Sequence, residues 1–246
     1  MIVLDQAVDT GDRAARHQSA TTVEVAARSM PFDGTGALSG DWHDILQLPS
    51  GDIVLIVGDA VGRGRRAAPL KAQLQPEARR MARAGASPAE VLDRLRTVGS
   101  HLDPDADVFA TMVCAAISPA RLDLCHANAG HPPPLLIGRN GTTRFLDTAV
   151  GPPIGAPLPT GRQVETVTPI LPGDTLVLYT DGLIEDPRRS IDSGLARLAV
   201  TAAGATLHVG RLCDRLIEIG MHDGRPRDDL TASAARVGRN YIDLRV

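Results

Sequence analysis

The clearest pattern in the chain is a paired one, a strand, a turn and a second strand. WHDILQL (42–48) reads as a strand, PSGD (49–52) as a turn and IVLIV (53–57) as a strong apolar strand. A turn centred between Ser50 and Gly51 sets Asp59 opposite Trp42, with Asp41 the next residue along. The hairpin thus gathers Asp41 and Asp59 at one end of a sheet. A helical stretch follows GRGRR and runs to about Ala84, with Pro69 near its first turn. Pro76 falls inside it, removes a backbone hydrogen bond and predicts a kink or break. The next helix begins at Ser87, with Ser87 as N-cap, Pro88 at the first position and Glu90 closing a capping box. Val91, Leu95, Val98 and Leu102 form its buried stripe.

Downstream, VFATMVCAAIS and RLDLCHANAG read as strands around a turn at Pro119, and PLLIG and TTRFLD flank an Asn140-Gly141 hairpin turn. VGPPIGAPLPTG (150–161) is a loop and DTLVLYTDG (174–182) a strong strand. A C-terminal helix carries Leu212, Leu216 and Ile219 on one face, and DDLTASAARV (228–237) is a last strand. Residues 1–20 are polar and aperiodic, with a short helix expected around 12–28. No linker or low-complexity tract interrupts the pattern. Hairpin-joined strands with a few helices predict one α+β domain of antiparallel sheets covered by helices.

Composition narrows the function. With 43% hydrophobic residues in 246, a sizeable core is within reach, and with only 2% aromatics it must be built from Val, Leu, Ile and Ala. No apolar run approaches the roughly 18 residues of a membrane span, and the N-terminus lacks the pattern of a signal peptide. Cys114, Cys125 and Cys213 have no metal-binding spacing and read as buried thiols in a reducing, cytoplasmic setting. A net charge of −3 argues against a nucleic-acid surface. The glycine-rich turn in VLIVGDAVGRG invites a nucleotide reading, but Lys71 is the sole lysine and lies on a helix. Neither a P-loop nor a kinase lysine is available.

Two strands share a plan. GDIVLIVGDA and GDTLVLYTDG each open Gly-Asp and run apolar. Each ends in an aspartate followed by a small residue, Asp59-Ala60 and Asp181-Gly182. Turn chemistry alone explains either pair taken singly. Yet Asp41, Asp59, Asp181 and the pair Asp228-Asp229 all fall at strand ends. Clustered carboxylates repel unless a cation joins them, and hard oxygen donors suit Mg²⁺ or Mn²⁺. Two such ions can share a carboxylate and activate water for attack on phosphorus.

The order SGDWHD, GDAVGRG, VFATMV, NAGHPPPLLI, LPGDTLVLYTDGLIE, DDLT resembles the SpoIIE/RsbU-type branch of the metal-dependent (PPM, 2C-type) protein phosphatases, over about residues 22–237. The resemblance implies a phosphatase domain at 22–240 after an N-terminal extension at 1–21. It implies an αββα sandwich with a dinuclear Mn²⁺ or Mg²⁺ site at one edge, and hydrolysis of phosphoserine or phosphothreonine. The substrate it implies is a phosphorylated anti-anti-sigma (STAS) protein in a partner-switching pathway. A sensor domain or regulator is a further partner, and a dimer is compatible with it. By the same resemblance Asp59 bridges both metals, Ala60 offers its backbone carbonyl and Asp41 serves the second metal directly or through water. Asp181 serves the first metal and Asp228 is the last ligand, with Asp229 the less favoured neighbour.

Departures from the family pattern fall at Ser39, His43 and Arg63. His43 faces opposite to Trp42 and Asp44 and reads as packing. Arg63 is a candidate to approach the substrate phosphate, set against a plain solvated arginine beside Arg65 and Arg66. His131 reads as a structural or supporting residue. The alternative to an enzyme is a latent or inactive phosphatase fold that acts as a regulatory binding module.

Overall fold

The computed structural model describes residues 2–8, 22–32, 39–61, 67–102, 108–156, 162–203 and 208–238. The chain forms β1 (Ile2–Val8), β2 (Val23–Met30), β3 (Asp41–Gln47), β4 (Ile53–Val61), α1 (Ala67–Arg83) and α2 (Pro88–Leu102). It continues through β5 (Phe109–Ser118), β6 (Asp123–Ala129), β7 (Leu135–Ile137), β8 (Thr143–Phe145), β9 (Val150–Gly151), β10 (Thr166–Pro169) and β11 (Thr175–Tyr179). A 3₁₀ turn (Asp181–Leu183), α3 (Ile191–Ala202), α4 (Val209–Gly220), a small β12 (Met221–His222) and β13 (Arg225–Pro226) ribbon and β14 (Leu230–Val237) complete it.

The strands make two mainly antiparallel sheets. Sheet I runs β1-β2-β14-β11-β7-β8, and sheet II runs β10-β6-β5-β4-β3 with β9 beside β6. Strand periodicity divides the residues among three apolar layers. Ile53, Leu55, Val57, Val113, Ala115 and Ile117 of sheet II meet Val25, Leu176, Leu178 and Ala235 of sheet I between the sheets. The opposite face of sheet II, through Val54, Ile56, Met112 and Cys114, packs on Leu70, Leu74, Val91 and Leu95 of α1 and α2. The outer face of sheet I buries Val177, Ala232 and Ala234 under Leu198, Leu212 and Leu216 of α3 and α4. The result is the α+β, αββα sandwich.

Several local expectations change. The 12–28 helix does not form over the part that is described, because Val23–Met30 is a strand, and residues 9–21 lie outside the described residues. β2 lies between β1 and β14 and is buried on both faces, so its Ala and Val positions lack the alternation that marks a half-exposed strand. The β3–β4 register is one residue from that expected: Asp59 stands opposite Asp41, and Trp42 opposite Gly58. Gly51 at φ +85° makes the loop an odd-numbered one, closed by Gly51 N–H to Leu48 O and Leu48 N–H to Asp52 O. α1 runs without a break through Pro76. Three side chains on one stripe dock it on β3: Lys71 donates to the carbonyls of Ser39 and Asp41, Gln75 to Asp44, and Arg79 pairs with Asp44. With Leu70, Leu74, Ala78 and Ala82 buried beneath, these contacts offset the lost hydrogen bond. The Ser87 capping box forms, with Glu90 N–H to Ser87 Oγ at 3.4 Å and Ser87 N–H to Glu90 Oε2 at 2.8 Å. Cys114 and Cys213 are buried thiols, whereas Cys125 is half-buried. α3 was not expected from the sequence.

Candidate functional site

At one end of the sandwich the space between the sheets changes from apolar to polar. Along β4 the inward positions Ile53, Leu55 and Val57 are followed by Asp59. Across the ladder, Asp59 has Asp41 of β3 on one side and Thr111 of β5 on the other. Directly opposed residues in an antiparallel pair share a face, with Cβ atoms roughly 4.5–5.5 Å apart. From sheet I the same space receives Thr180, whose hydroxyl donates to Asp41 Oδ2 at 2.7 Å. Thr231 N–H donates to Thr180 Oγ1 at 3.0 Å, and Ser29 bonds both Thr231 and His43 Nδ1. His43 therefore faces between the sheets and is engaged by Ser29.

The sequence-predicted aspartates come together here. Burial first, then the charges of Asp181, Asp228 and Asp229, push the Asp59 carboxyl up to about 7. Burial, then Glu185 and Asp228, push Asp181 up to about 6. Asp41, 7% exposed, is raised well above its ordinary value by burial and then by Asp59, with the Thr180 hydrogen bond opposing. Asp228 at the solvent edge is raised too, by partial desolvation. Asp229 has a different job. Its two oxygens accept from the backbone N–H groups of Phe32 at 2.8 Å and Gly40 at 3.1 Å, so it clamps the end of β2 to the start of β3.

Two glycines make this crowding possible. A Cβ on Gly40 would stand 2.5 Å from Ala60 O and 2.7 Å from Asp59 Oδ1. A Cβ on Gly182 would strike Asp229 O and lie 3.3 Å from Asp228 Cβ. Each glycine adjoins an aspartate of the cluster and lets a second acidic segment approach it. Arg63 lies outside the described residues.

The donor chemistry fits a hard divalent cation. The cluster offers carboxylates and the Ala60 carbonyl, all oxygen, and its raised carboxyl groups are those a cation would return to the charged form. Among the described residues no group of three or more His, Cys, Asp or Glu side chains is arranged to hold a metal ion. The fit therefore rests on the donors and on the glycine cradle.

Sequence reasoning missed four participants. Lys71 sends its ammonium into the acidic end, where Asp41, Asp229, Asp59 and Asp44 favour its charge against a larger burial effect that lowers its pKa. Glu185 sits beside Asp181. Thr180 and Thr111 hold the cluster's flanks. The one available signal was Thr180, the polar residue that ends an apolar strand just before Asp181.

The sequence model described as Stage II sporulation protein E (SpoIIE) matches residues 49–238. The chain belongs to the SpoIIE family. It is similar to the RsbU and RsbW domains of a Mycobacterium tuberculosis protein, with 29% identity, a TM-score of 0.77, and 89% of this chain and 61% of that one covered. It thus spans less than two thirds of that protein. It also resembles the PP2C phosphatase domain with a regulatory fragment of SpoIIE from Bacillus subtilis, at 17% identity and TM-score 0.75, covering 97% of this chain and 70% of that one. A third similar fold is the catalytic domain of the serine/threonine phosphatase PstP in complex with 2 manganese ions, at 17% identity and TM-score 0.62, covering 88% of this chain and 99% of that one. The last two likenesses establish the fold. The SpoIIE-family chain thus shares the fold of PP2C-type phosphatase domains. None of its described helices is long and apolar enough to cross a membrane.

Proposed function

We propose that this SpoIIE-family chain is a divalent-metal-dependent phosphoserine/phosphothreonine protein phosphatase. The observation that carries the reading is the inter-sheet acidic end. There Asp41 and Asp59 oppose each other in one ladder, and Asp181 and Asp228 approach from the other sheet. Asp59, with neighbours on both sides in the ladder, would be shared between two ions. Ala60 would contribute its carbonyl, Asp181 and Asp228 would hold one ion, and Asp41 the other, directly or through water. Asp229, whose oxygens hold backbone amides, would act by fixing this frame. Mn²⁺ or Mg²⁺ bound there would supply a water ionised at neutral pH and neutralise charge on the phosphoryl group. The manganese-bearing PstP fold supports that assignment.

The chain's own residues do the rest. Thr180 orients the Asp41 carboxylate. Lys71 locks the start of β3 through the Ser39 and Asp41 carbonyls. The apolar layer below Asp59 excludes water from the strand side of the cluster. For the substrate we infer a phosphorylated STAS-domain protein, supported by the RsbU domain that neighbours RsbW in the Mycobacterium tuberculosis relative.

The test is Mn²⁺-dependent phosphate release from p-nitrophenyl phosphate and from a phosphorylated STAS protein, with Asp59→Asn and Asp181→Asn beside the wild type. Both variants should lose at least about 100-fold in kcat/KM, the scale of removing a group that holds transition-state charge. Undiminished turnover in both would refute the assignment. Mn²⁺ binding without turnover would favour the latent binding module.

A further inference from the structure

Residues 130–134 carry the chain from β6 in sheet II to β7 in sheet I. His131 stands in this crossing and is 5% exposed. Its backbone is gripped from sheet II: Asn128 Nδ2 donates to His131 O at 2.8 Å, and His131 N–H donates to Asn128 Oδ1 at 2.7 Å. Its ring spans the sheets. Nε2 lies 3.0 Å from Tyr179 O on β11, and Nδ1 lies 2.8 Å from Thr111 Oγ1 on β5. A carbonyl only accepts, so Nε2 carries the hydrogen, and the neutral ring then accepts from the Thr111 hydroxyl at Nδ1. A second tie lies beside it, Tyr179 Oη donating to Pro133 O at 2.9 Å.

The two ends of this ring contact are the neighbours of the cluster. Thr111 is the direct cross-strand partner of Asp59. Tyr179 is two residues before Asp181 and next to Thr180, which holds Asp41. We propose that His131 is a positioning residue that fixes the separation of the Asp59 and Asp181 carboxylates, and so the spacing of the divalent ions they would hold. The proposal rests on the metal-site reading above. Burial alone requires both nitrogens to find partners; what this ring adds is that its two partners belong to different sheets. Here the pair of nitrogens joins the two halves of the site across a short rigid ring. Such supporting partners commonly change metal affinity by about 10–100-fold when removed.

Side-chain reach separates positioning from packing. In His131→Gln the amide nitrogen can take the place of Nε2, so the tie from the Asn128-anchored backbone to Tyr179 O survives. In His131→Asn only the Nδ1 position is reproduced, the Thr111 contact stays within sheet II, and the tie to β11 is lost. Thr111→Val removes only the hydroxyl and provides a milder variant should His131→Asn fail to fold. Mn²⁺ affinity is read by calorimetry, and the spacing of paired ions by the exchange-coupled electron paramagnetic resonance spectrum of the loaded protein. Urea unfolding without metal reports stability separately.

His131→Asn should weaken Mn²⁺ binding about 10–100-fold and alter or abolish the coupled spectrum. His131→Gln should stay within about threefold of wild type, and Thr111→Val should fall between them. Wild-type Mn²⁺ uptake with unchanged affinity and spectrum in His131→Asn and Thr111→Val, whatever their stability, would overturn this proposal alone. A wild-type protein that takes up no Mn²⁺ would overturn the metal-site reading and this proposal with it.

Discussion

Replacing Gly40 by alanine adds one methyl group where the start of β3 meets the end of β4. The new Cβ would stand 2.5 Å from Ala60 O and 2.7 Å from Asp59 Oδ1, whereas real Cβ contacts essentially never fall under 3.0 Å. One neighbour is backbone and the other a carboxylate already crowded by Asp181, Asp228 and Asp229. The β3 start and the β4 end must therefore part by about half an ångström. Overpacking of this kind costs about 1–3 kcal/mol of stability. The functional loss should be larger, because a displacement of about 1 Å costs on the order of 100-fold in rate, and half of it about 10-fold. The assay is Mn²⁺-dependent phosphate release for kcat/KM, with urea unfolding run in parallel. Gly85→Ala is the control: no atom lies within 4 Å of its added Cβ, but its φ of +82° is unfavourable for alanine. That variant should lose about 1 kcal/mol from left-handed backbone strain and keep its turnover. A Gly40→Ala protein with wild-type kcat/KM would refute the argument that close approach at Gly40 sets the site.

Other predictions follow from the cluster's charge and from the docking of α1. In chelator, Asp59 and Asp181 titrate in the folded chain at about 7 and about 6, above the ordinary 3.8. The native state then holds more protons than the unfolded one between about pH 4 and about pH 7, so urea midpoints should fall as pH rises through that window; saturating Mn²⁺ should flatten the fall. Asp59→Asn should unfold at higher urea than wild type at pH 8 in chelator, by about 1–3 kcal/mol allowing for screening, while losing Mn²⁺ affinity by calorimetry. Arg79→Ala leaves Asp44, 5% exposed, without its ion-pair partner while Gln75 still donates to it, and should cost about 1–3 kcal/mol in urea unfolding.

Much of this architecture is legible in the sequence where one physical signal dominates. The hairpin of β3 and β4, the capped α2 and the apolar-to-Asp endings of β4 and β11 are written in local periodicity and turn residues. The register of the β3–β4 hairpin was not, because a single glycine in the left-handed region changes the loop count and shifts each pairing by one. That shift matters, since it places Asp41 and Asp59 face to face. β2 escaped because a strand buried on both sides loses its alternation. Pro76 misled because its local cost is offset by tertiary docking of Lys71, Gln75 and Arg79 on Ser39, Asp41 and Asp44, some 30 residues away in the chain. For the same reason Lys71 and Thr111 gave no sequence signal of their roles, and His131 read only as a supporting residue without its partners. Each acts through a partner from another strand, and only the folded sheets bring those partners within reach.

The central claim is that this acidic end collects divalent cations, and a crystal soaked in Mn²⁺ tests it most directly through anomalous scattering at the manganese edge. The account predicts two adjacent peaks sharing the Asp59 carboxylate, one reached by Asp181 and Asp228 and the other by Asp41 directly or through water. Peaks confined to surface carboxylates, with none within reach of Asp59, would contradict it.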